Sequence, residues 1–365
     1  YAGRYGTFYA IINACVTTCR RDNCMYCFRD LFVSCKSLYY NDNCRIISSM
    51  CCAFYKAYKS KGITPYAISP SNEPGYAAPW NSSLWTADEM GKFITSNLGP
   101  TFQKENIPAK IIFGENPLWS VVMPQLKMVS SKDFTDTILQ DYPEIKKFNL
   151  IAAGHGYSLS PDIMPIKVDK EYLKTPIIPF DAAEKAHIPV WITEISDVTP
   201  LDTSIQDGLK WAVTFHNYLT KANVNAIIWW GGAMPTSNNE SLIILNKNRK
   251  DYTLSKRYDI LGNYSRYISE GSTRIQVTQP KNKDLLVSAY KKNDKYILVA
   301  INLSEKTIST NIRLDGANIK GALKQFITNK DNRWNKTNIV PVSNKYYNLT
   351  IPQFSIVTLV GKVHL

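Results

Sequence analysis

The sequence predicts an α/β protein, with a (β/α)8 TIM barrel over residues 1–271 and a C-terminal side domain, an antiparallel β-sandwich, over residues 272–365. Two observations predict this architecture. Before residue 271, short apolar runs alternate with amphipathic helical stretches, which is typical of parallel β/α units. After it, short β-rich runs are separated by Lys, Asn and Asp turns without helical periodicity, which favours an antiparallel sandwich packed against the barrel.

Five apolar runs are the predicted strands of the barrel, and their starts lie 36 to 45 residues apart. Such constant spacing favours a closed barrel over an open sheet, because each unit of a barrel repeats one strand and one helix. The predicted strands are Thr64–Ser69, Ala109–Phe113, Asn149–His155, Pro189–Glu194 and Asn225–Trp230.

Helix signals lie between the predicted strands. Thr86 and Glu89 form a capping-box pattern that begins a helix, and Gly99-Pro100 is predicted to end it. Arg257–Ile268 is predicted as the last helix before the side domain. A further helix is predicted from apolar residues that recur on one face, namely Ile205, Leu209, Ala212, Phe215 and Leu219.

Composition limits the class of protein. An apolar share of 44% and a charged share of 20% are typical of a globular chain, and no run of 18 apolar residues predicts a membrane span. The net charge of +13 is dispersed and accompanies no known binding motif, so we expect no nucleic-acid partner. The first residue is Tyr1 rather than Met, which fits a processed, secreted protein and fits a cloned fragment equally well. We expect the protein to be a monomer.

All eight cysteines lie within the first 52 residues. Cys15, Cys19, Cys24 and Cys27 have spacing that can hold zinc, and disulfides are a second interpretation. The third is that residues 1–52 do not represent the native start of the barrel. We favour it because three missing β/α units would need about 120 residues, and the stretch before the first predicted strand is much shorter.

The ends of the predicted strands carry the chemistry-bearing residues. Two glutamates, Glu73 and Glu194, follow strands three units apart, and the active residues of a β/α barrel lie at these carboxyl ends. Hydrolysis of a glycosidic bond requires such a pair of carboxyl groups. Sugar rings also stack on aromatic side chains in pockets that contain a few polar groups. The other strand-end residues are Glu115, His155, Tyr157, Trp229 and Trp230.

Asn72-Glu73-Pro74 after one strand, His155-Gly156-Tyr157 after a later one and "WITEIS" at the next resemble glycoside hydrolase family 30. The segment "YDILGNYSRYISEGSTRI" and the terminal "IPQFSIVTLVGK" strengthen this resemblance, which covers residues 53–365. The resemblance implies a (β/α)8 barrel with a side β-sandwich, retaining hydrolysis, a polysaccharide substrate and no cofactor or metal.

Roles follow from the resemblance residue by residue. Glu73 would be the general acid/base and Glu194 the nucleophile. Asn72 would hydrogen-bond the 2-hydroxyl of the cleaved sugar, and Tyr157 would support Glu194. Glu115 matches no catalytic residue, so it is interpreted as structural or as a hydrogen-bond partner at the rim. The other predicted substrate-binding residues are Trp80, Trp85, His155, Trp229 and Trp230, of which the last would form the floor of the cleavage subsite.

The substrate prediction is β-1,4-xylan, because "YAISPSNEP" looks most like the bacterial xylanase branch of the family. No arginine lies between Trp230 and Arg249, and an arginine fork would match the carboxylate of a glucuronic acid branch. Cleavage is therefore expected not to require that branch. A glucuronoxylanase, a β-1,6-glucanase and a β-1,6-galactanase remain alternatives, and so does a catalytically silent glycan-binding protein, which would be expected to lack one glutamate.

Overall fold

A computed structural model of the chain describes residues 11–13, 40–77, 83–120, 129–157, 177–196, 198–246, 248, 250–315, 318–319, 321–341 and 346–364. The chain divides into two compact units. The first unit comprises residues 1–159, 178–195 and 222–229, and the second comprises residues 160–177, 196–221 and 230–365.

The first unit contains a parallel sheet of six strands within the described ranges, and the strands follow one another in chain order. Parallel neighbours in chain order require a crossover between strands, and helices occupy the described parts of these crossovers. The strands confirm the five predicted runs, although most are shorter than expected. They are β1 (Ile11–Asn13), β2 (Ala67–Ser69), β3 (Lys110–Gly114), β4 (Leu150–His155), β5 (Val190–Glu194) and β6 (Ala226–Ile227).

Two α-helices of the first unit begin at side-chain caps. Thr86 accepts from the Glu89 N–H while the Glu89 carboxylate accepts from the Thr86 N–H, which confirms the predicted capping box. Ser130 caps another helix through the N–H of Asp133. The α-helices are α1 (Tyr40–Ser60), α2 (Ala87–Phe93), α3 (Gly99–Lys104), α4 (Ser131–Asp141) and α5 (Asp181–Lys185), with a π-helix at Ile94–Leu98 and a 3-10 helix at Pro143–Lys147.

The prediction that Gly99-Pro100 ends the helix is wrong. The helical path continues through the π-helix into α3, and Pro100 lies in the first turn of α3, where a missing N–H is tolerated. Gly99 has a packing role, since a Cβ atom there would lie 2.3 Å from the Phe148 ring. The glycine is therefore required by close packing rather than by a helix end.

One apolar cluster packs along the parallel sheet. It comprises Ala67, Ile112, Ile151, Ala153 and Trp191, which are all buried. Burial of this kind contributes about 25 cal/mol for each Å² of apolar surface removed from water. Because the strands run parallel, the ends of β2, β3, β4 and β5 lie at one edge of the sheet, and the strand-end residues meet there.

The described part of the second unit contains α6 (Ile205–Lys221) and α7 (Lys256–Ser265). A small sheet is formed by β7 (Ala233–Met234), β8 (Ile243–Leu245) and β9 (Tyr252–Leu254). The predicted apolar face of α6 is confirmed, because four of its five residues are buried and Leu219 is half-buried. The buried residues are Ile205, Leu209, Ala212 and Phe215. Arg257 of α7 is also fully buried. It forms an ion pair at 2.5 Å with Asp207 of α6 and donates to Asn239.

After α7 the described chain forms only strands, as predicted. A seven-stranded antiparallel sheet has the order β10-β11-β12-β18-β15-β16, with β14 paired to β18, and a two-stranded sheet joins β13 to β17. Residues of both sheets share one apolar core. The strands are β10 (Thr273–Ile275), β11 (Leu285–Lys292), β12 (Lys295–Asn302), β13 (Ile308–Arg313), β14 (Asn318–Ile319), β15 (Leu323–Thr328), β16 (Asn335–Ile339), β17 (Tyr346–Ile351) and β18 (Ser355–His364).

The α/β class is confirmed by these elements, whereas closure into an eight-stranded barrel and the domain boundary at residue 271 stay predictions.

Five of the cysteines lie outside the described residues. Cys44, Cys51 and Cys52 of α1 are buried and form no disulfide within the described part of the chain. Burial raises the pKa of the Cys51 thiol to about 12, so this thiol stays protonated and unreactive. None of the described helices has the length and apolar character needed to cross a membrane.

Candidate active site

Glu73 lies in a tight turn after β2. Its φ of +47° is unusual for a residue with a Cβ atom, and its side chain is only 8% exposed. A hydrogen bond within the turn runs from the Tyr76 N–H to the Glu73 carbonyl at 3.0 Å, and three others connect the turn to neighbouring segments. The Glu73 N–H donates to the Glu115 carbonyl at 3.1 Å, the Gly75 N–H donates to Asn116 Oδ1 at 2.6 Å, and the Trp85 N–H donates to the Pro74 carbonyl at 2.9 Å. The surrounding structure therefore imposes this conformation.

Glu115 follows β3, and it is buried rather than at the rim, so that part of its interpretation is wrong. Its φ is +58°, and its N–H donates to the Ala153 carbonyl at 2.9 Å. The preceding Gly114 has a φ of +104°, and a Cβ there would lie 2.1 Å from the same carbonyl. The Thr193 hydroxyl donates to Glu115 Oε1. Burial raises the pKa of the Glu115 carboxyl, although nearby His155 opposes this effect.

His155 ends β4 and lies between the two predicted catalytic glutamates. Its imidazole is fully buried, with Nδ1 at 3.2 Å from Glu73 Oε1 and 3.7 Å from Glu194 Oε1. Its backbone N–H donates to the Asn116 carbonyl at 2.9 Å. The imidazole can therefore carry a positive charge that is shared by two carboxylates.

Glu194 ends β5, and its carboxylate is 14% exposed. The Tyr157 hydroxyl donates a hydrogen bond to Glu194 Oε1. The Gly156 N–H donates to the Glu194 carbonyl at 2.9 Å, and a Cβ at Gly156 would lie 2.4 Å from Ile195 Cδ1. The glycine thus allows Tyr157 to follow β4 closely enough to reach Glu194.

Three carboxyl groups and one imidazole lie at this edge of the sheet. Burial lowers the pKa of His155, but the negative charge of Glu194, the hydrogen bond to Glu73 and the charge of Glu115 together raise it to about 8. The imidazole is therefore mostly protonated at neutral pH. Its Nδ1 atom lies close to the carboxyl groups of both Glu73 and Glu194.

The raised pKa of His155 predicts a pH-dependent stability. The folded value of about 8 exceeds the reference of 6.5, so the stabilisation is fully present below pH 6.5 and is lost as the pH rises through 8. We expect the free energy of unfolding to fall by about 1 kcal/mol between pH 7 and pH 9 from this group. Urea denaturation of the wild type and of His155→Gln at both pH values measures the difference.

His216→Gln is the matched control for this measurement. Burial lowers the pKa of His216 to about 4, so the titration of this group changes the free energy of unfolding only in acid. Its substitution should leave the alkaline loss unchanged. An equal alkaline loss in wild type and His155→Gln would contradict the charged imidazole.

Three side chains of this cluster could together hold a metal ion. Ligand atoms of Glu73, His155 and Glu194 all lie within 4.8 Å of one another. Two carboxylates and an imidazole are also a set that hydrolases use without metal, as general acid, nucleophile and charged neighbour.

The remaining predicted binding residues lie in different surroundings. Asn72 is half-buried beside Glu73, and Trp80 lies outside the described residues. Trp85 is only 6% exposed and packs against Phe93 with ring centroids 5.3 Å apart, which leaves little ring surface for a sugar. Trp229 is buried, whereas Trp230 is 48% exposed and donates to Glu240 Oε1 at 3.1 Å. Their binding roles stay predictions.

Sequence reasoning missed Asn116 and Thr193. Asn116 is fully buried, and it accepts from Gly75 and His155. Thr193 is the residue before Glu194, and its hydroxyl faces Glu115. Asn116 had a usable signal, since it follows β3 at the same edge as the glutamates. For Thr193 the sequence held no signal beyond its position. The face of the sheet to which a strand residue points depends on local bulges, such as the one between Gly154 and His155.

The chain is similar in sequence to curated glucuronoxylanases. No family model matches the chain. Glucuronoxylanase XynC from Bacillus subtilis (strain 168) is 25% identical over 316 residues, which cover 84% of this chain. The chain spans 64% of that relative's length, which is less than two thirds.

Two solved structures share the fold. A glycoside hydrolase family 30 subfamily 8 xylanase, Xyn30A from Clostridium acetobutylicum, matches with a TM-score of 0.70 and 22% identity, covering 88% of this chain and 72% of that one. The catalytic domain of GH30 xylanase C from Talaromyces cellulolyticus matches with a TM-score of 0.71 and 19% identity, covering 87% and 67%. Sequence and structure comparisons thus confirm the resemblance of this chain to the xylanase-like branch of glycoside hydrolase family 30.

Proposed function

We propose that the protein is a retaining, endo-acting glycoside hydrolase that cleaves the β-1,4-xylan backbone. The observation that carries the proposal is the convergence of Glu73 and Glu194, whose nearest carboxylate oxygens lie within 4.8 Å. Retaining enzymes hold their two carboxyl groups about 5–5.5 Å apart, whereas inverting enzymes leave about 6.5–9.5 Å for a water molecule. The close approach favours retention.

In the proposed reaction, Glu73 protonates the glycosidic oxygen while Glu194 attacks the anomeric carbon and forms a glycosyl–enzyme ester. The bond between that carbon and the glycosidic oxygen breaks, and the leaving sugar departs with a free hydroxyl group. Glu73 then removes a proton from water, which attacks the same carbon and releases Glu194. The Tyr157 hydroxyl holds the attacking carboxylate in one orientation. The His155 imidazolium offsets its negative charge until the sugar cation develops.

The remaining structural expectations form part of the proposal. The six-stranded parallel sheet fits the major part of a (β/α)8 barrel, and the two antiparallel sheets with their shared core fit a side β-sandwich. We infer a boundary near residue 271 and a secreted, monomeric enzyme that acts on a polysaccharide. The resemblance to an exported protein and to a glucuronoxylanase supports the secretion and the polysaccharide substrate.

The role of glucuronic acid separates two versions of the function. The relative from Bacillus subtilis is named a glucuronoxylanase, which favours dependence on the acidic branch. Against it, no arginine lies between Trp230 and Arg249 in this chain, and a carboxylate is best recognised by a guanidinium fork. We propose that neutral xylan is cleaved.

The test is incubation with neutral arabinoxylan, glucuronoxylan, β-1,6-glucan and β-1,6-galactan, followed by product identification and NMR of the first anomer. We expect a retained anomer and cleavage of both xylans. Cleavage of glucuronoxylan alone, with one product per branch, would contradict independence from glucuronic acid. Cleavage of a β-1,6-glycan alone would replace xylan as the substrate. Binding without any cleavage would support a silent glycan-binding protein.

A further inference from the structure

We propose that the side-chain carbonyl of Asn116 positions Glu73 for catalysis, a role that rests on the proposed function. Asn116 would act through the turn that carries Glu73 and would not contact the reacting bond. The juxtaposition that supports this is the 2.6 Å hydrogen bond from the Gly75 N–H to Asn116 Oδ1, two residues beyond Glu73.

Glu73 requires such support because its backbone is strained. A residue with a Cβ atom at a φ of +47° is uncommon, and a residue that precedes proline is further restricted. Strained conformations of this kind cost about 1–3 kcal/mol and persist only when neighbouring contacts impose them. The hydrogen bonds from Glu73 to Glu115 and from Gly75 to Asn116 are two of these contacts, and they lie on either side of Pro74.

Asn116 also links this turn to the end of β4. Its main-chain carbonyl accepts from the His155 N–H at 2.9 Å and from the Ser131 hydroxyl at 2.8 Å. A single buried residue therefore connects the turn of Glu73 with the residue that lies between the two glutamates. The amide oxygen of Asn116 accepts the hydrogen bond from Gly75 without adding a negative charge to a site that already contains three carboxyl groups.

Gly75 permits the hydrogen bond by its small size. A Cβ atom at this position would lie 2.6 Å from Asn116 Oδ1, which is closer than real Cβ contacts allow. Its φ lies outside the left-handed region, so alanine fits the backbone itself. Gly75→Ala should therefore displace the Asn116 side chain while leaving the rest of the turn acceptable.

The experiment compares Asn116→Ala, Gly75→Ala and the double variant on the glycan that the wild type cleaves best. We expect each single variant to lower kcat by about 10- to 100-fold, because a small displacement of a catalytic group has effects of this size. KM should change by less than about threefold, since the substrate contacts remain. The double variant should be no slower than the slower single variant, because both substitutions remove one interaction.

Ser131→Ala is the matched control. It removes a hydrogen bond to the same residue but leaves Asn116 Oδ1 in place, so kcat should stay within about threefold of wild type. Urea denaturation of every variant identifies loss of folding. If Asn116→Ala does not fold, Gly75→Ala still tests the same hydrogen bond.

Wild-type kcat in Asn116→Ala would overturn the assignment. Multiplicative losses in the double variant, or a loss in Ser131→Ala as large as in Asn116→Ala, would overturn it as well. A folded wild type that cleaves none of the glycans would instead overturn the proposed function and, with it, this assignment.

Discussion

Replacing Glu194 with glutamine is expected to lower kcat on xylan by about 10⁴-fold or more, because a neutral amide cannot form the glycosyl–enzyme ester. Glutamine has the same shape, and its carbonyl oxygen can still accept from the Tyr157 hydroxyl. We therefore expect no large loss of stability. Steady-state rates on xylan together with urea denaturation measure the two effects separately.

Two further variants sharpen this prediction. Glu144→Gln, which changes an exposed carboxylate on the 3-10 helix, should keep wild-type activity. In Glu194→Ala, azide can enter the space left by the carboxylate and attack the anomeric carbon of an activated xyloside from that side. The product should be a glycosyl azide of inverted configuration. Substantial activity of Glu194→Gln, or an azide product of retained configuration, would contradict the role of Glu194 as nucleophile.

The parallel sheet and the two glutamates could be predicted because both depend on local pattern. Apolar runs of strand length repeated at nearly even intervals, and polar residues at their ends therefore had to lie at one edge of the sheet. Glu73 and Glu194 follow such runs, and the structure brings them together with His155 and Tyr157. The parallel direction of the strands was enough to predict that these residues lie close together.

Other features depend on tertiary contacts that no local pattern contains. Whether an aromatic side chain is a sugar platform or part of the core depends on its neighbours, and Trp85 packs against Phe93. Gly99-Pro100 has the composition of a helix end, but close packing on Phe148 and the preceding π-helix allow the helix to continue. The left-handed backbone of Glu73 is imposed by residues more than forty positions away in the chain.

Replacing Glu73 with glutamine is expected to lower kcat on xylan by about 10²–10⁴-fold, which is the usual contribution of a general acid or base. The reason is that a glutamine cannot protonate a poor leaving group, and the sugar hydroxyl released from xylan is a poor one. The backbone contacts that hold the turn, from Glu73 to Glu115 and from Gly75 to Asn116, remain available in the variant. Steady-state kinetics on xylan and on aryl xylosides measure the effect.

The dependence on the leaving group distinguishes Glu73 from Glu194. With a dinitrophenyl xyloside, whose leaving group needs no proton, Glu73→Gln should form the glycosyl–enzyme ester at close to the wild-type rate and accumulate it, because water is no longer activated. In Glu73→Ala, azide should attack this ester from the side that Glu73 occupied and give a glycosyl azide of retained configuration. Equal losses on xylan and on the dinitrophenyl substrate would contradict a general acid, and an azide product of inverted configuration would exchange the roles of the two glutamates.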